Sequence, residues 1–272
     1  MSHYYHFKEL NFKYGIFDNF IDTTYVLTMT EKGNFQNIYK QLRNVKPSKK
    51  IFIVFNERLK TPSLQKLKTH NTNKNLVQVY LEIFKHAQKN TYKNIMILED
   101  NFIFDKEITY LKHISKINEF CKSYQDKSYC LSLGSLPIII LPKDDSFYLS
   151  LSSVGTCCMI YSKLFINQTL VKKNNLINNW NNYTNYNYQK YIYAYPLCTQ
   201  LFNEKENNKN VTSLLKYFIV VLMKKLKLNK QSQPGFNSFY YYSKIFSILI
   251  FILILLILLY LIYVTFLLSK YL

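Results

Sequence analysis

The run from Ile245 to Ser269 constrains this chain most strongly, because its 25 residues include no charged side chain. Nearly all of them are Ile, Leu, Phe, Tyr or Val. A helix of this length, rising about 1.5 Å per residue, would extend roughly 37 Å. That exceeds the hydrocarbon thickness of a bilayer, about 30 Å. We therefore predict one membrane-spanning helix at 245–269, in preference to a buried helix of a soluble domain.

The lysines around this segment predict its orientation. One of them, Lys270, follows the segment, and several precede it: Lys216, Lys224, Lys225, Lys227, Lys230 and Lys244. Because basic flanks tend to stay on the cytosolic side, the pattern predicts a single-pass, tail-anchored protein with its large N-terminal domain in the cytosol. We divide the chain into a folded domain at 1–213, a Lys-rich juxtamembrane connector at 214–244 and the span. The connector fits an interfacial helix or the last helix of the folded domain equally well.

The net charge of +19 is weaker evidence for a nucleic-acid partner than its size implies. It comes from 35 basic against 16 acidic residues, and only Arg43 and Arg58 among the basic residues are arginines. Arginine is the residue best suited to bidentate contacts with phosphate and guanine. Scattered lysines therefore do not predict a nucleic-acid partner. The five cysteines lack the spacing of a zinc site and are predicted to be reduced, mostly buried thiols.

Before the connector, apolar runs alternate with segments that favour helix. The runs at Thr24–Met29, Lys50–Asn56 and Asn94–Leu98 are separated by helix-compatible stretches at 34–42 and 76–87. Continuous apolar strands are typical of parallel sheets covered on both faces. The sequence thus predicts an α/β fold with a mostly parallel, doubly wound sheet, whose ligands bind beyond the carboxyl ends of the strands. Further elements are expected as a helix around 110–124, strands at 128–133 and 147–152, and a turn followed by one more strand within 155–162.

Two carboxylates, Glu99 and Asp100, directly follow the apolar run 94–98, and Asn101 comes next. With five glycines in the whole chain, a Gly-rich phosphate loop is excluded, so a phosphate ligand would need a metal, lysines or helix N-termini. Oxygen ligands without neighbouring Cys or His favour Mg²⁺ or Mn²⁺ over zinc. The alternative is a turn in which Asp100 and Asn101 cap the backbone and Glu99 pairs with a surface lysine.

Three segments resemble glycosyltransferase family 25, the lipopolysaccharide-biosynthesis type, which has relatives in large DNA viruses. Residues 97–104 (ILEDNFIF) are similar to its hydrophobic-E-D-D-hydrophobic segment. Residues 155–162 (GTCCMIYS) and 195–202 (YPLCTQLF) are similar to its G-T-x-x-Y/M-I and Y-P-L-x-x-Q segments, in the same order. The resemblance covers about residues 22–213.

The resemblance implies a GT-A-like fold and transfer of a sugar from a nucleotide-sugar donor to an acceptor hydroxyl. The acceptor would be a glycan, a lipid-linked molecule or a protein, and the membrane a host or viral one. Because the acidic segment corresponds to the D-x-D motif of GT-A enzymes, Glu99, Asp100 and Asn101 would position Mn²⁺ or Mg²⁺ and the diphosphate.

Other residues receive roles on the same basis. Gly155 and Thr156 would line the acceptor side, and Gln200 would contact donor or acceptor. An inverting reaction needs a carboxylate base, for which Asp144 or Asp145 is the candidate, the alternative being that both belong to an exposed hairpin turn.

At two places the sequence departs from the pattern of this family, and these departures leave other functions open. Asn101 stands where the family usually has a second Asp, and residues 30–37 (TEKGNFQN) lack the expected Arg. The chain is therefore either an enzyme or a catalytically degenerate transferase-fold protein acting as a membrane-tethered interaction module. A basic protein that binds anionic lipid or nucleic acid through 216–244 is a third class, but it leaves the acidic segment unexplained. His86 is predicted to be structural or exposed, and Trp180 a core or interface residue rather than a sugar-stacking one.

Overall fold

The computed structural model describes residues 5–28, 35–56, 72–172, 177–186, 189–200 and 234–269. The strands are β1 (Tyr5–Asn11), β2 (Thr23–Thr28), β3 (Lys50–Asn56), β4 (Asn94–Glu99), β5 (Phe102–Phe104), β6 (Cys130–Ser132), β7 (Leu136–Pro142), β8 (Phe147–Val154), β9 (Cys158–Ser162), β10 (Lys190–Tyr193) and β11 (Cys198–Gln200). The helices are α1 (Phe35–Val45), α2 (Thr72–Lys89), α3 (Leu111–Ser123), α4 (Lys163–Val171), α5 (Trp180–Tyr186) and α6 (Pro234–Ser269). The predicted connector before residue 234 lies outside these ranges.

Nine strands form one sheet in the order β1-β3-β2-β4-β9-β6-β10-β8-β7. Its first half is the predicted doubly wound unit, since β3, β2 and β4 are parallel neighbours. Helices α1 and α2 cover opposite faces of this unit, because their buried residues belong to two separate core clusters. The prediction of an α/β fold is confirmed.

The prediction that the sheet is mostly parallel is wrong. Among the strand pairs described in the sheet, three are parallel and five antiparallel, so the sheet is mixed. The decisive strand is β9, which runs antiparallel between β4 and β6 and is buried along its whole length. A strand covered on both faces has the same apolar sequence whichever way it runs, so its composition could not reveal its direction.

Trp180 lies in the core on the α2 side of the sheet, as predicted. It is 1% exposed, and its ring stacks on Tyr80 with centroids 4.3 Å apart. Its indole nitrogen donates to the Tyr161 hydroxyl at 2.9 Å, which satisfies the one polar atom of the ring. Because the indole is enclosed, it is not available to stack on a ligand sugar.

His86 is structural, as predicted. Its Nδ1 lies 2.7 Å from the Tyr25 hydroxyl, and its ring stacks on Phe7 of β1 at 4.6 Å. Burial lowers its pKa, with Lys89 and Lys50 acting in the same direction. The neutral ring thus joins α2 to strands β1 and β2.

All five cysteines are free and buried, which confirms the prediction of thiols. Burial raises the pKa of Cys121 and of Cys130 to about 12. Because the thiolate is the reactive form, these two thiols are chemically inert at neutral pH.

Helix α6 contains the predicted span. Its segment Lys244–Ser269 has a mean hydropathy of 3.4 and is long and apolar enough to cross a membrane. Helix α6 packs against β7, the edge strand of the sheet.

Candidate functional site

The turn after β4 carries the acidic segment found in the sequence. Ile95 and Ile97 belong to the core cluster on the α2 side. Because side chains alternate along a strand, Glu99 points to that same side, into the fold. Asp100 and Asn101 form the turn between β4 and β5, and both are half-buried.

Glu99 is held by contacts from two other elements. Its Oε1 accepts a hydrogen bond of 2.5 Å from the Thr156 hydroxyl and a longer one of 3.4 Å from the Tyr80 hydroxyl. Its backbone N–H donates to the Cys157 carbonyl oxygen at 3.0 Å. Helix α2 and the segment before β9 therefore both hold this carboxylate.

Opposing influences set the pKa of Glu99. Burial raises it, and the nearby Asp100 carboxylate acts in the same direction. Hydrogen bonds from Thr156 and Tyr80 and the ammonium of Lys190 act the other way, but the net pKa lies above the ordinary value.

Lys190 is a buried lysine that no sequence pattern singles out. It begins β10, it is 0% exposed, and its Nζ lies 3.3 Å from Asn185 Oδ1 and 3.5 Å from Asn181 Oδ1. Burial lowers its pKa to about 8, while the negative charge of Glu99 acts to raise it. Lysine is seldom fully buried, and in an Asn- and Tyr-rich segment no pattern marks one lysine as internal.

Asn185 continues this polar network to β8. Its Oδ1 accepts from the Ser153 hydroxyl at 3.1 Å, and its Nδ2 donates to the Ser153 carbonyl oxygen at 2.9 Å. Helix α5 and strand β8 are therefore tied to the buried ammonium by side-chain bonds.

The Y-P-L-x-x-Q segment lies directly beside the acidic turn. Strand β11 pairs antiparallel with β5, with Gln200 opposite Phe102 and Cys198 opposite Phe104. The Asp105 N–H donates to the Leu197 carbonyl oxygen at 2.9 Å, which extends this pairing. The backbone of Gln200 thus lies next to the turn. Its side chain is outside what the structure describes, so a contact with donor or acceptor stays a prediction.

The two glycines nearest the site have different constraints. Gly155 has φ +98° and accepts a hydrogen bond of 2.5 Å from the Ser135 hydroxyl at its carbonyl. A Cβ on Gly134 would lie 1.8 Å from the Cys198 carbonyl oxygen. Glycine at position 155 is therefore favoured by the positive φ of the turn. Glycine at position 134 allows β11 to approach the segment that follows β6.

The structure does not bring Asp144 and Asp145 to the acidic turn. They occupy the exposed tip of the β7–β8 hairpin, and β9, β6 and β10 lie between β4 and β8 in the sheet. With strands about 4.8 Å apart, β4 and β8 are separated by roughly 19 Å. Asp144 Oδ1 accepts from the N–H groups of Ser146 and Phe147, both at 2.8 Å. This geometry matches the alternative of a hairpin turn, so a catalytic role for either residue stays an untested prediction.

A second polar cluster near the 195–200 segment was also missed. His113 is 2% exposed, with Nδ1 2.7 Å from the Tyr193 hydroxyl and Nε2 3.0 Å from Glu107 Oε2. It connects α3 to β10 and to the 3₁₀ turn Lys106–Thr109. Tyr193 is 80 residues from His113 along the chain and the cluster forms no motif, so only the fold could reveal it.

Among the residues that the structure describes, few side-chain oxygens lie at the turn. In the portion of the chain that the structure covers, no group of three or more His, Cys, Asp or Glu side chains could hold a metal ion. Asp100 and Asn101 offer one carboxylate and one amide oxygen, with Glu99 directed inward beside them. Mg²⁺ is commonly bound by one or two carboxylates together with substrate phosphates, so these residues fit a cation that a diphosphate ligand helps to coordinate.

Comparison with known proteins supplies no family. A scan against protein-family models finds no match to this chain, and a search of curated proteins finds no significant relative. The resemblance to glycosyltransferase family 25 therefore depends on the three sequence motifs alone.

Proposed function

We propose that the chain is a membrane-anchored glycosyltransferase that moves a sugar from a nucleotide-sugar donor to an acceptor hydroxyl. The supporting observation is that the three motifs, far apart in sequence, converge at one place. The Thr156 hydroxyl donates to Glu99, and β11 pairs with β5 immediately after the Glu99–Asn101 turn. The place is the carboxyl end of β4, where open α/β sheets bind their ligands.

The residues of the turn have different roles in this proposal. Asp100 and Asn101 provide oxygen ligands for Mn²⁺ or Mg²⁺, which neutralises charge on the departing nucleoside diphosphate. Glu99 is a positioning residue, since its carboxylate is already engaged by Thr156 and Tyr80. Gly155 and Thr156 border the acceptor side, and the β11 backbone closes the other side of the turn.

Anchoring and orientation are parts of the same proposal. Helix α6 fixes the enzyme to a membrane, and the excess of lysines before the span places the folded domain on the cytosolic side. The acceptor is then a glycan, lipid-linked or protein molecule at that membrane. Nucleic acid is not among the proposed partners.

The test is release of nucleoside diphosphate from a panel of nucleotide-sugars by the full chain in nanodiscs, with and without Mn²⁺. The proposal expects Mn²⁺-dependent release with at least one donor, reduced about 100-fold or more by Asp100→Ala, since electrostatic stabilisers of the transition state are typically worth that much. Asp126→Ala, at an exposed turn, is the matched control. Release that Asp100→Ala leaves unchanged would contradict the proposed role of the turn.

A second candidate function has its own support. Asn101 in place of a second Asp and the small set of acidic ligands near the turn favour a degenerate transferase fold that acts as a membrane-tethered interaction module. This alternative expects no metal-dependent release from any donor, and indifference to Asp100→Ala in every assay.

A further inference from the structure

Helix α6 is joined to the folded domain by direct packing. Ser247 is 0% exposed, although its neighbours Phe246 and Ile248 are 56% and 54% exposed. The Ile140 N–H donates to the Ser247 hydroxyl at 2.8 Å, and that hydroxyl donates to the Ile140 carbonyl oxygen at 3.4 Å. Ile140 belongs to β7, and an edge strand otherwise presents unpaired backbone groups. The helix thus covers the edge of the sheet where the apolar segment begins.

The direction of α6 relative to the hairpin follows from two contacts. Lys244 Nζ lies 4.9 Å from the centre of the Tyr148 ring, and Tyr148 is opposite Pro142 near the hairpin tip. One helical turn later, Ser247 contacts Ile140, two residues further from the tip. As α6 enters its apolar segment, it therefore advances along the hairpin towards the end where Leu136 pairs with Val154.

The polarity of the hairpin changes in that same direction. Its tip carries the charged, exposed residues 143–145. Strand β7 reads LPIIILP, without a charged or polar side chain. Val154, at the far end, is 52% exposed despite being apolar. The charged end therefore lies towards the lysine-rich side of the span, and the apolar end lies beside the membrane segment.

We propose that the apolar edge of this hairpin, formed by the half-buried Leu136, Ile138 and Ile139 together with the exposed Val154, rests on the lipid bilayer. Its side chains occupy the boundary between headgroups and acyl chains, continuous with the lipid-facing surface of α6. This inference rests on the proposed anchoring of the chain. Because Gly155 and Thr156 directly follow Val154, the contact places the acceptor side of the candidate site at the membrane surface. Acceptors carried by that membrane are then the substrate class within reach.

The test uses single introduced cysteines in the full chain, labelled with the environment-sensitive fluorophore NBD and reconstituted into phosphatidylcholine nanodiscs with or without nitroxide-labelled lipid. Native thiols interfere little, because all five are buried. Val154→Cys reports on the hairpin and Ile252→Cys on the span. Asp126→Cys, at an exposed turn of the folded domain, is the matched control. Thermal unfolding of each labelled protein confirms that it is folded.

We expect nitroxide lipid to reduce the Val154→Cys and Ile252→Cys signals about twofold or more, because interfacial apolar groups sit about 5–10 Å into the boundary region. The Asp126→Cys signal should not change. Quenching at Ile252→Cys but not at Val154→Cys would overturn the hairpin contact while leaving the anchor intact; this would also be the result if a protein partner were the true occupant. No quenching at Ile252→Cys would overturn the anchoring and the hairpin contact together.

Discussion

Glu99 is a fixed carboxylate whose pKa makes fold stability depend on pH. Because burial raises its pKa above the ordinary 4.5, the folded state holds this proton to a higher pH than the unfolded state. The contribution of Glu99 to the free energy of unfolding is complete below pH 4.5 and is lost as pH rises through the folded-state pKa.

The substitution Glu99→Gln tests this directly, since Gln does not titrate and can still accept the hydrogen bond from Thr156. We expect the variant to gain stability relative to the unmodified chain as pH rises above 4.5. Urea unfolding at a series of pH values measures the difference. A difference that is the same at every pH would contradict the buried environment assigned to Glu99.

Lys190 predicts a pH dependence of opposite sign. Its pKa is lowered from 10.5 to about 8, so the unfolded state binds more protons between these values and stability rises with pH across that window. Across this window, the free energy of unfolding of the unmodified chain should rise by on the order of 3 kcal/mol relative to that of Lys190→Met. The reason is that a shift of one pKa unit corresponds to about 1.4 kcal/mol.

Urea unfolding between pH 7 and 11 measures this gain as a difference between the two proteins, which removes the shared titration of tyrosines and cysteines. Lys122→Met, at an exposed position of α3, is the control and should show no such trend. A flat difference for Lys190→Met would mean that the ammonium is solvated.

At the level of elements, the small β5–β11 sheet depends on a glycine in a neighbouring segment. A methyl group on Gly134 would meet the Cys198 carbonyl oxygen at 1.8 Å. We expect Gly134→Ala to displace β11 and to lower the free energy of unfolding by about 3 kcal/mol or more, since backbone cannot yield as a side chain can. Gly155→Ala should cost about 1–2 kcal/mol, for its positive φ alone.

Chemical denaturation ranks the two variants, and amide exchange across Phe102–Phe104 reports whether β11 has moved. Two results would show that the close approach of Gly134 to Cys198 is not needed to hold β11 in place. One is an equal loss in free energy of unfolding for both variants, and the other is unchanged amide protection of β5 in Gly134→Ala.

The hydrogen-bonded contact between Ser247 of α6 and Ile140 of β7 predicts a local effect on amide hydrogen exchange. Ser247→Ala removes the acceptor of the Ile140 N–H, so that amide should exchange about tenfold faster, for a loss of about 1.4 kcal/mol of local stability. Ser269→Ala is the control, because that hydroxyl donates within the helix, to Phe266. Hydrogen exchange of the full chain in nanodiscs gives both rates, and an unaffected Ile140 amide would contradict this contact.

The sequence was informative about elements wherever burial produces a continuous apolar run. For this reason strands β3 and β4 were predicted to within one residue at each end. Helix α2 was predicted at 76–87, inside its observed range Thr72–Lys89. Strand β1 was missed because its burial is uneven, as expected for an edge strand with one exposed face. Strand β7 was also missed. Its two prolines, Pro137 and Pro142, fit an edge strand, in which a residue without a backbone N–H is tolerated.

At the scale of the whole molecule, the order of strands in the sheet decides which motifs meet. The sequence identified the Glu99–Asn101 turn, Gly155, Thr156 and the segment ending at Gln200, and the fold brings their backbones together. The sequence could not show how far Asp144 and Asp145 lie from the turn, because closeness along the chain to β8 says nothing about the strands that intervene in the sheet. The burial of Lys190 could not be predicted from the sequence. It arises because α5 and β8 pack over this side chain, and such tertiary packing leaves no local sequence pattern.

The proposed function requires that the acidic turn bind a nucleoside diphosphate together with a divalent cation. This binding can be measured by calorimetric titration of the full chain in nanodiscs with nucleoside diphosphates in the presence of Mn²⁺. We expect Mn²⁺-dependent binding of at least one nucleotide, weakened about tenfold or more by Asp100→Ala, because loss of a charged ligand costs on the order of 1.5–3 kcal/mol. Asp126→Ala should bind like the unmodified chain. Failure of every nucleotide to bind to the folded protein, or binding that Asp100→Ala leaves unchanged, would contradict the proposed function.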